Sequence, residues 1–518
     1  MVLSLPWSWP SAGETDTFEV RSLRGMLLSI LASVAFGAVL VIYGRRPSGS
    51  VLRKEALAVV GLGWILCGLL GSLPYLLTPT YRLPGVPMSV ADAIFESISG
   101  FSTTGASVLT QLEVPPDVAN CEAAANEGLI AYVPRSVLFW RSFTHWLGGM
   151  GIIVLFVAIL GQLGAGGKAL MRREVPGPIS DTLRPRVRET AMIMWTIYLA
   201  LSGILTIILC LLGMSLFDSL CHTFGTLATG GFSTRNSSVG GFNSSVIELT
   251  LILFMLAAGT NFNLYYLLWR NPQGPGDHGN LSRLQLLIRD PEFRLYLTIA
   301  GLSTVFLALA LSISGTYDSL AACVRHAWFN IVAVMTTTGF GTENFAVWPA
   351  VSQALLIVLM FVGGCSGSTG GGVKVIRFLV LFKVLRLEIE RAFRPNLVRP
   401  VRLSGNRVNE TVCRDVLLYV CLIAVIFAGS WLLLVTLEPS TQWEVAGEPT
   451  SARLTDCAGA VAATLNNIGP GLGVCGPHGN YTGFTDTSKV LLTFLMLLGR
   501  LELFAVIVLF VPGFWKVE

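Results

Sequence analysis

Long apolar stretches alternate with shorter polar linkers along the chain, and the apolar stretches predict membrane-spanning helices. A helix needs about 20 apolar residues to cross the hydrocarbon core of a bilayer. Within each stretch the apolar residues run continuously, which favours helices over the alternating strands of a barrel. We therefore expect an all-α polytopic membrane protein. The predicted spans are 24–44, 55–79, 136–160, 191–214, 246–269, 294–314, 350–362 with 373–385, 415–437 and 487–512.

Composition agrees with the apolar pattern. The 518 residues are 53% hydrophobic and 13% charged, whereas a soluble domain carries about 25% charged residues. The sequence contains no HExxH or GxSxG motif and no His/Cys cluster with metal-ligand spacing. An enzyme is therefore not expected, and no cofactor is predicted for this chain.

The basic residues predict which linkers face the cytoplasm. Lys and Arg gather in the linkers 45–54, 161–190, 270–294 and 383–414, while 108–134 contains neither. Because positive charge resists translocation, the basic linkers are assigned to the cytoplasmic side. We expect a multi-pass protein of the cytoplasmic (inner) membrane that contacts lipid and no nucleic acid. On the outer side, Cys457 and Cys475 are candidates for a disulfide.

Four short glycine-containing stretches recur on the predicted outer side of the membrane. They are TTGAS (103–107), TGGFS (229–233), TTGFG (337–341) and NIGPG (467–471). A short apolar segment, too short to span the bilayer, precedes each stretch, and a full span lies on either side. Each unit therefore reads as span, half-helix, glycine loop and span, with a re-entrant half-helix.

The residue types in these loops suit a cation. A partly dehydrated alkali ion needs several oxygen ligands, and loops of backbone carbonyls can supply them, as in potassium channels. Glycine permits the unusual backbone angles that such a loop requires. One such loop alone would more readily indicate close helix packing. Four copies in matching context favour a ring of loops around one ion pore.

The same motifs resemble a known family. STTGAS, ATGGFST, TTTGFGT and NNIGPGLG are similar to the four filter loops of the Trk/Ktr/HKT superfamily of potassium transporters, and the TrkH-type subunits are the nearest match. WLGGMGIIVL, MRREVPGP, GCSGSTGGGVKVIR and MLLGRLE extend the resemblance from about residue 25 onward. It implies four membrane–pore-loop–membrane repeats around a pseudo-fourfold pore. Here one extra amino-terminal helix precedes them, where the family usually has two.

The resemblance sets expectations for domains and sites. The units are 1–54 with the extra helix, then pore repeats 55–163, 164–270, 271–390 and 391–518. The transported ion is expected to be K⁺, because glycine is central in all four loops; relatives with serine in the first loop tend towards sodium. A sodium-selective or K/Na-coupled relative is the alternative. The expected filter residues are Thr103, Thr104, Gly105, Thr229, Gly230, Gly231, Thr337, Thr338, Gly339, Asn467, Ile468 and Gly469.

A second glycine-rich stretch, residues 363–374 (GGCSGSTGGGVK), is predicted to form a gate. It departs from the phosphate-binding pattern GxxxxGK[ST], because Lys374 follows Val373 and Val375 replaces Ser/Thr. Glycine costs about 1 kcal/mol per helical position relative to alanine, so the helix should unwind within the membrane. The resemblance implies an intramembrane gating loop here. The expected gate residues are Gly363, Gly364, Ser366, Gly367, Ser368, Gly370, Gly371, Gly372 and Arg500.

The resemblance also implies partners. TrkH-type subunits form homodimers and work with a cytoplasmic ring of Rossmann-type, nucleotide-binding subunits. No strand–GxGxxG–helix unit occurs in this sequence, so a nucleotide switch would come from another polypeptide. Lys374 and Arg377, which follow the glycine run, are expected to face water, to pair with Glu388 or Glu390, or to contact the partner. Two other classes, an intramembrane hydrolase and a carrier for an anionic solute, are less favoured by the residues.

Overall fold

The computed structural model describes residues 1–8, 18–44, 53–112, 133–151, 187–270, 287–397, 399–403, 406–439, 443–445, 448–449 and 452–515. Helices dominate these residues, as predicted. In chain order they are α1 Phe18–Tyr43, α2 Arg53–Gly71, α3 Leu73–Leu77, α4 Val90–Phe101, α5 Arg135–Gly149, α6 Val187–Leu211, α7 Leu216–Leu227, α8 Ser245–Ala258, α9 Phe262–Arg270, α10 Pro291–Ile313, α11 Leu320–Met335, α12 Ala350–Met360, α13 Val375–Phe393, α14 Glu410–Leu437, α15 Ala452–Leu465, α16 Asp486–Arg500, α17 Phe504–Ile507 and α18 Pro512–Trp515.

Strands are few and short. Three two-stranded antiparallel hairpins connect helices: β1 Tyr81–Leu83 with β2 Val86–Pro87, β3 Arg402–Leu403 with β4 Asn406–Arg407, and β5 Glu444–Val445 with β6 Glu448–Pro449. A 3₁₀ helix, Val2–Ser8, precedes α1. Among the described residues, one long helix lies before α2, as the sequence predicted.

Several described helices are long and apolar enough to cross a membrane. They are α1, the segment Ala58–Leu77 formed by α2 and α3, Met192–Leu211 within α6, α10 and α14. Much of their surface is apolar and exposed, as expected for helices in contact with lipid. The predicted span 136–160 is described only as far as residue 151, so the rest of it lies outside the described residues.

Four shorter helices, α4, α7, α11 and α15, occur where the half-helices were predicted. They contain 12, 12, 16 and 14 residues, fewer than a bilayer-spanning helix needs. Serine side chains cap the first three: Ser89, Ser215 and Ser319 each accept a hydrogen bond from the backbone N–H three residues further on. Such N-caps satisfy otherwise unpaired N–H groups, so each helix begins at a defined residue.

The predicted span 246–269 is not one continuous helix, because the structure divides it into α8 and α9. The two helices are bent by 90° at the residues between them. Backbone groups at this break hydrogen-bond to the glycine run: Cys365 N–H donates to Gly259 O (2.8 Å), and Phe262 N–H donates to Gly367 O (3.0 Å). The tertiary hydrogen bonds replace those that a continuous helix would have made.

The predicted span 487–512 is not one continuous helix either. Helix α16 ends at Arg500, and α17 begins at Phe504. Glu502 and Leu503 between them have φ angles of 55° and 61°. Side chains other than glycine rarely adopt this left-handed conformation, so two in succession end the helix.

The largest apolar core joins the two ends of the chain. Phe95 of α4 and Trp140 of α5 pack in one buried cluster with Cys457 of α15 and Leu495 of α16. The first and last predicted repeats are therefore neighbours. In the same region Cys457 and Cys475 are both buried free thiols, so the disulfide considered from the sequence is not formed.

Candidate functional site

The four predicted filter loops share one backbone conformation. The first residue of each loop has a left-handed φ angle between 54° and 58°, and the glycine two positions later has a φ angle between 75° and 93°. A glycine accepts this angle without the steric cost that a β-carbon imposes. The first residues are Thr103, Thr229, Thr337 and Asn467, and the glycines are Gly105, Gly231, Gly339 and Gly469.

These four glycines contact one another's loops in a closed cycle. A β-carbon built on Gly105 would overlap the carbonyl oxygen of Gly230 in the second loop. One built on Gly231 would overlap Thr338 O in the third loop, and one on Gly339 would overlap Ile468 O in the fourth. The cycle closes at Gly469, whose β-carbon would lie 2.6 Å from Thr104 O in the first loop. The structure thus brings all four predicted loops together.

The carbonyl oxygens at these contacts are unpaired. In the described part of the chain, no hydrogen-bond donor reaches the backbone oxygens of Thr104, Gly230, Thr338 or Ile468. By contrast, Gly469 O accepts a 2.8 Å hydrogen bond from the Tyr481 hydroxyl. Buried carbonyl groups are normally hydrogen-bonded, so four unpaired oxygens within one ring are available to a cation.

Hydrogen bonds between side chains hold the loops in place. The hydroxyl of Thr104 lies 2.7 Å from that of Ser102 and accepts a 2.9 Å hydrogen bond from Asn467 Nδ2. In the third loop, the hydroxyls of Thr336 and Thr338 are 2.7 Å apart. The Thr103 hydroxyl is buried and has no partner. The polar groups of these side chains are therefore mostly used within the protein.

A buried ion pair that the sequence did not single out joins the first two loops. Arg141 of α5 donates to Glu96 of α4 at 2.5 Å and to Ser233 O at 3.2 Å. Glu96 also accepts hydrogen bonds from Ser107 (3.0 Å) and from the Val108 backbone N–H (2.9 Å). Arg141 lines a cavity of about 120 Å³ outside the ring, and the four filter glycines line it too.

The glycine run interrupts the helix between α12 and α13, as predicted. Gly363 N–H donates to Val373 O (2.9 Å), and Val375 N–H donates to Gly364 O (3.1 Å). The two ends of the run, after α12 and before α13, therefore lie side by side. Inside the run, the Ser368 hydroxyl donates to Cys365 O at 2.6 Å.

The run lies directly against the filter loops. Gly371 N–H donates a 2.6 Å hydrogen bond to the Thr337 hydroxyl of the third loop. A β-carbon on Gly371 would lie 2.7 Å from Asn466 O, beside the fourth loop. Gly372 has a left-handed φ angle of 65°. Because the run approaches two loops closely, there is no room for side chains at these positions. Glycine, which has no side chain, fits there.

Arg500 contacts the same run from the last repeat. Its guanidinium donates to Thr369 O at 2.9 Å and to Gly149 O at 3.1 Å, and it also donates to Gly148 O. Gly370 O accepts a hydrogen bond from the buried Lys374 ammonium. Arg500, Lys374 and the run line a cavity of about 60 Å³ on the inner side of the filter loops. Two positive charges, and the carboxylate of Glu502 that pairs with Arg377, therefore line the space beneath the ring.

Three further contacts at the run were not predicted. Glu292 of α10 accepts hydrogen bonds on one carboxylate oxygen from the Ser366 N–H (2.6 Å) and the Ile376 N–H (3.1 Å). Arg377 pairs with Glu502 at 2.5 Å, rather than with Glu388 or Glu390. The third is the hydrogen bond from the Cys365 N–H to Gly259 O, at the break between α8 and α9. The position of Glu502, an ionisable residue inside an apolar stretch, could have marked it as a residue with a buried partner. No pattern in the sequence indicates that Glu292 contacts the glycine run.

Comparison with known proteins identifies the family that the sequence motifs resemble. Residues 26–516 match the model of a family described as the cation transport protein TrkH. The chain belongs to the TrkH family. The resemblance seen in the motifs is therefore confirmed, together with the all-α, multi-pass membrane fold.

Relatives of TrkH type are similar over nearly the whole chain. The Trk system potassium uptake protein TrkH of Salmonella typhimurium is 36% identical over 494 residues, which cover 95% of this chain and 92% of the relative. The Trk system potassium uptake protein TrkG of Escherichia coli is 34% identical over 479 residues, covering 92% and 88%. The crystal structure of the potassium transporter TrkH from Vibrio parahaemolyticus has a TM-score of 0.74 and 32% identity, covering 99% of this chain and 98% of that one.

Proposed function

We propose that this chain takes up potassium ions across the cytoplasmic membrane through the ring of four filter loops. The observation that carries the proposal is the set of unpaired carbonyl oxygens at Thr104, Gly230, Thr338 and Ile468. An unpaired carbonyl away from water costs free energy, and a partly dehydrated cation would offset that cost. The names of the TrkH-type relatives support potassium as the ion.

Potassium is favoured over sodium by the loop chemistry. Glycine is central in all four loops, and each glycine abuts the carbonyl of the next loop. A serine at one of these positions would disturb a quarter of the ring and its match to the larger ion. A sodium-selective or K/Na-coupled transporter of the same superfamily is the second candidate, because it would use the same ring.

We propose that residues 363–372 and Arg500 form the gate. The run lies between the filter loops and the inner cavity, and the Arg500 guanidinium is bonded to it. A fixed positive charge beneath the ring repels cations in a medium of low dielectric constant. Moving the run and Arg500 aside would open the path, and few side chains need to be displaced because the run is rich in glycine.

The organisation and assembly of the chain are proposed on the same basis. Residues 55–163, 164–270, 271–390 and 391–518 would form four pore repeats about one axis, and the chain would pair as a homodimer. A separate cytoplasmic ring of nucleotide-binding subunits would control the gate. The cyclic contacts of the four loops support the repeats, and the relatives' designation as Trk system proteins supports further Trk components.

The test of this function is isotope flux. Purified protein in vesicles should take up rubidium-86, and external potassium should compete with it more strongly than sodium does. The regulatory subunit is included in a parallel sample. Absence of rubidium uptake in both samples would refute an ion pathway. Uptake that sodium blocks as well as potassium does would favour the sodium-type relative. Growth rescue of a potassium-uptake-deficient cell provides a second readout.

A further inference from the structure

A basic cavity lies at the cytoplasmic end of α13, away from the ion path. Its volume is about 320 Å³. Four basic side chains and one carboxylate contribute to its wall, so its net charge is strongly positive. The lining residues are Lys383, Arg386, Leu387, Glu390, Arg399, Pro400, Val401 and Arg402.

The cavity is built by packing of the β3–β4 hairpin against two helices. Val384 of α13 and Val416 of α14 are buried together, and Leu403 of β3 packs against them. The Lys383 ammonium donates to Arg402 O at 2.5 Å, which ties the hairpin to α13. The hairpin thus holds Arg402 opposite the basic side chains of the helix.

One carboxylate organises two of the arginines without neutralising the site. Glu390 lies 3.6 Å from the Arg386 guanidinium and 3.7 Å from that of Arg399. The side chains of Arg386 and Arg399 are 83% and 68% exposed, so both retain donors for a further ligand. Guanidinium groups held in this way suit the oxygens of a phosphate ester.

The neighbouring face of α13 is apolar. Phe382 and Leu385 are 59% and 47% exposed, on the side of the helix away from the buried Val380 and Val384. At about 100° per residue, Lys383 and Arg386 lie on the flank between these two faces. A basic cavity beside an exposed apolar stripe matches a ligand that carries both a phosphate and acyl chains.

The depth of the cavity agrees with that ligand, given the topology proposed above. Helix α12 has 11 residues, about 16 Å of rise, so the glycine run lies near the middle of a hydrocarbon core about 30 Å thick. From Val375 to Lys383 and Arg386, α13 rises a further 12–17 Å or so. The basic side chains therefore reach the inner boundary of the core, where lipid phosphates lie.

We propose that this cavity binds the phosphodiester headgroup of an anionic phospholipid from the cytoplasmic leaflet. The phosphate is held by Arg386, Arg399 and Arg402, and the acyl chains follow Phe382 and Leu385. Electrostatic attraction of anionic lipid to a basic residue near the surface is worth a few-fold in affinity for each residue. The site is independent of which ion passes through the filter.

Native mass spectrometry of the full chain in detergent tests the proposal with phosphatidylglycerol, phosphatidylcholine and inorganic phosphate as probes. The wild-type chain should retain phosphatidylglycerol in preference to phosphatidylcholine. The variant Arg386→Gln/Arg402→Gln should lose roughly 10-fold in phosphatidylglycerol retention. Arg294→Gln/Arg414→Gln removes the same charge from exposed positions at the starts of α10 and α14, and it should retain the lipid as the wild type does.

The variant Arg386→Lys/Arg402→Lys keeps the charge but loses the guanidinium geometry, so its lipid retention should lie between those of the wild type and the glutamine variant. Elution as a single symmetric peak and unchanged rubidium flux in phosphatidylcholine vesicles verify that each variant is folded. Equal loss in the two glutamine variants would overturn a specific site. Full displacement of the lipid by millimolar inorganic phosphate would indicate a free-anion site instead. Unchanged lipid retention with loss of the response to the regulatory subunit would identify a protein-docking surface and also overturn the proposal.

Discussion

The backbone N–H of Gly371 donates a 2.6 Å hydrogen bond to the hydroxyl of Thr337. This bond joins the proposed gate directly to a filter loop, because Thr337 is the first residue of the third loop. A change in either element therefore acts on the other through one hydrogen bond, between the Gly371 backbone and the Thr337 side chain. It also offers a precise way to loosen the gate without removing a charge.

We predict that Thr337→Val increases flux in the absence of the regulatory subunit. Valine keeps the shape of threonine but leaves the buried Gly371 N–H unpaired, at a cost of about 1–3 kcal/mol to the closed arrangement. Rubidium leak into vesicles should rise roughly 5-fold or more. The matched control is Thr103→Val, at the equivalent position of the first loop, because the Thr103 hydroxyl has no partner. Equal effects of the two variants would contradict a specific link.

Gly105→Ser should reduce the preference for potassium over sodium. A β-carbon at Gly105 would overlap Gly230 O, and the φ angle of 79° is unfavourable for serine. The first two loops must then separate, which widens one side of the ring. Competition of potassium and sodium with rubidium uptake measures the effect. Gly203→Ser, in α6 with open space around the position, is the control and should leave the ratio unchanged.

Arg500→Gln should weaken the closed state. The guanidinium holds the run to α5 through the carbonyls of Thr369, Gly148 and Gly149, and glutamine loses both the charge and most of these bonds. We expect basal rubidium flux to rise about 10-fold, the loss expected for one charged hydrogen bond. Arg500→Lys should give an intermediate flux, because it keeps the charge. A flux at or below the wild-type level for Arg500→Gln would refute a blocking role.

Glu292 should stabilise both ends of the glycine run. Glu292→Ala removes the carboxylate that accepts from the Ser366 and Ile376 N–H groups, and each lost hydrogen bond costs about 1–3 kcal/mol. The thermal unfolding midpoint in detergent should fall and basal flux should rise. Glu292→Gln keeps an acceptor oxygen and should preserve most of the stability. If the alanine and glutamine variants unfold alike, the two hydrogen bonds do not contribute as the structure indicates.

A buried ion pair between α4 and α16 should stabilise the fold only while both of its charged partners are present. Lys489 and Asp92 have no exposed side-chain surface, and their charged atoms lie 2.6 Å apart. Lys489→Met leaves the carboxylate with Arg82 at 3.3 Å and the Ser89 backbone N–H at 3.1 Å, and breaking such a pair costs about 3 kcal/mol or more. The double variant Lys489→Met/Asp92→Asn should recover part of the loss in thermal stability. No recovery would mean that packing around Lys489, rather than its charge, is what matters.

Much of this architecture could be predicted because it is encoded locally. The short apolar segments before the first and third glycine loops form α4 and α11, since a capping serine precedes each helix and the glycine loop follows its end. The four glycines were recognisable because each needs a conformation that other residues rarely adopt. Apolar runs of bilayer length likewise predicted the long helices.

Other features could not be predicted because their causes are distant in sequence. The break at Gly259 depends on hydrogen bonds from Cys365 and to Gly367, more than 100 residues away. The residues 246–269 are otherwise apolar enough for one continuous helix. The end of α16 depends on left-handed angles at Glu502 and Leu503, for which side-chain identity alone gives no indication. Glu292 reads as an ordinary residue of the first helical turn until the run is placed against it.

The closing contact of the ring has a consequence for biosynthesis. Gly105 and Gly469 belong to its first and last loops, and Asn467 Nδ2 donates to Thr104 across that junction. During translation, more than 360 residues are added between Gly105 of the first loop and Gly469 of the fourth loop. Until then the nascent chain contains at most three of the four loops, so a polypeptide truncated before the fourth loop lacks the contacts that close the ring.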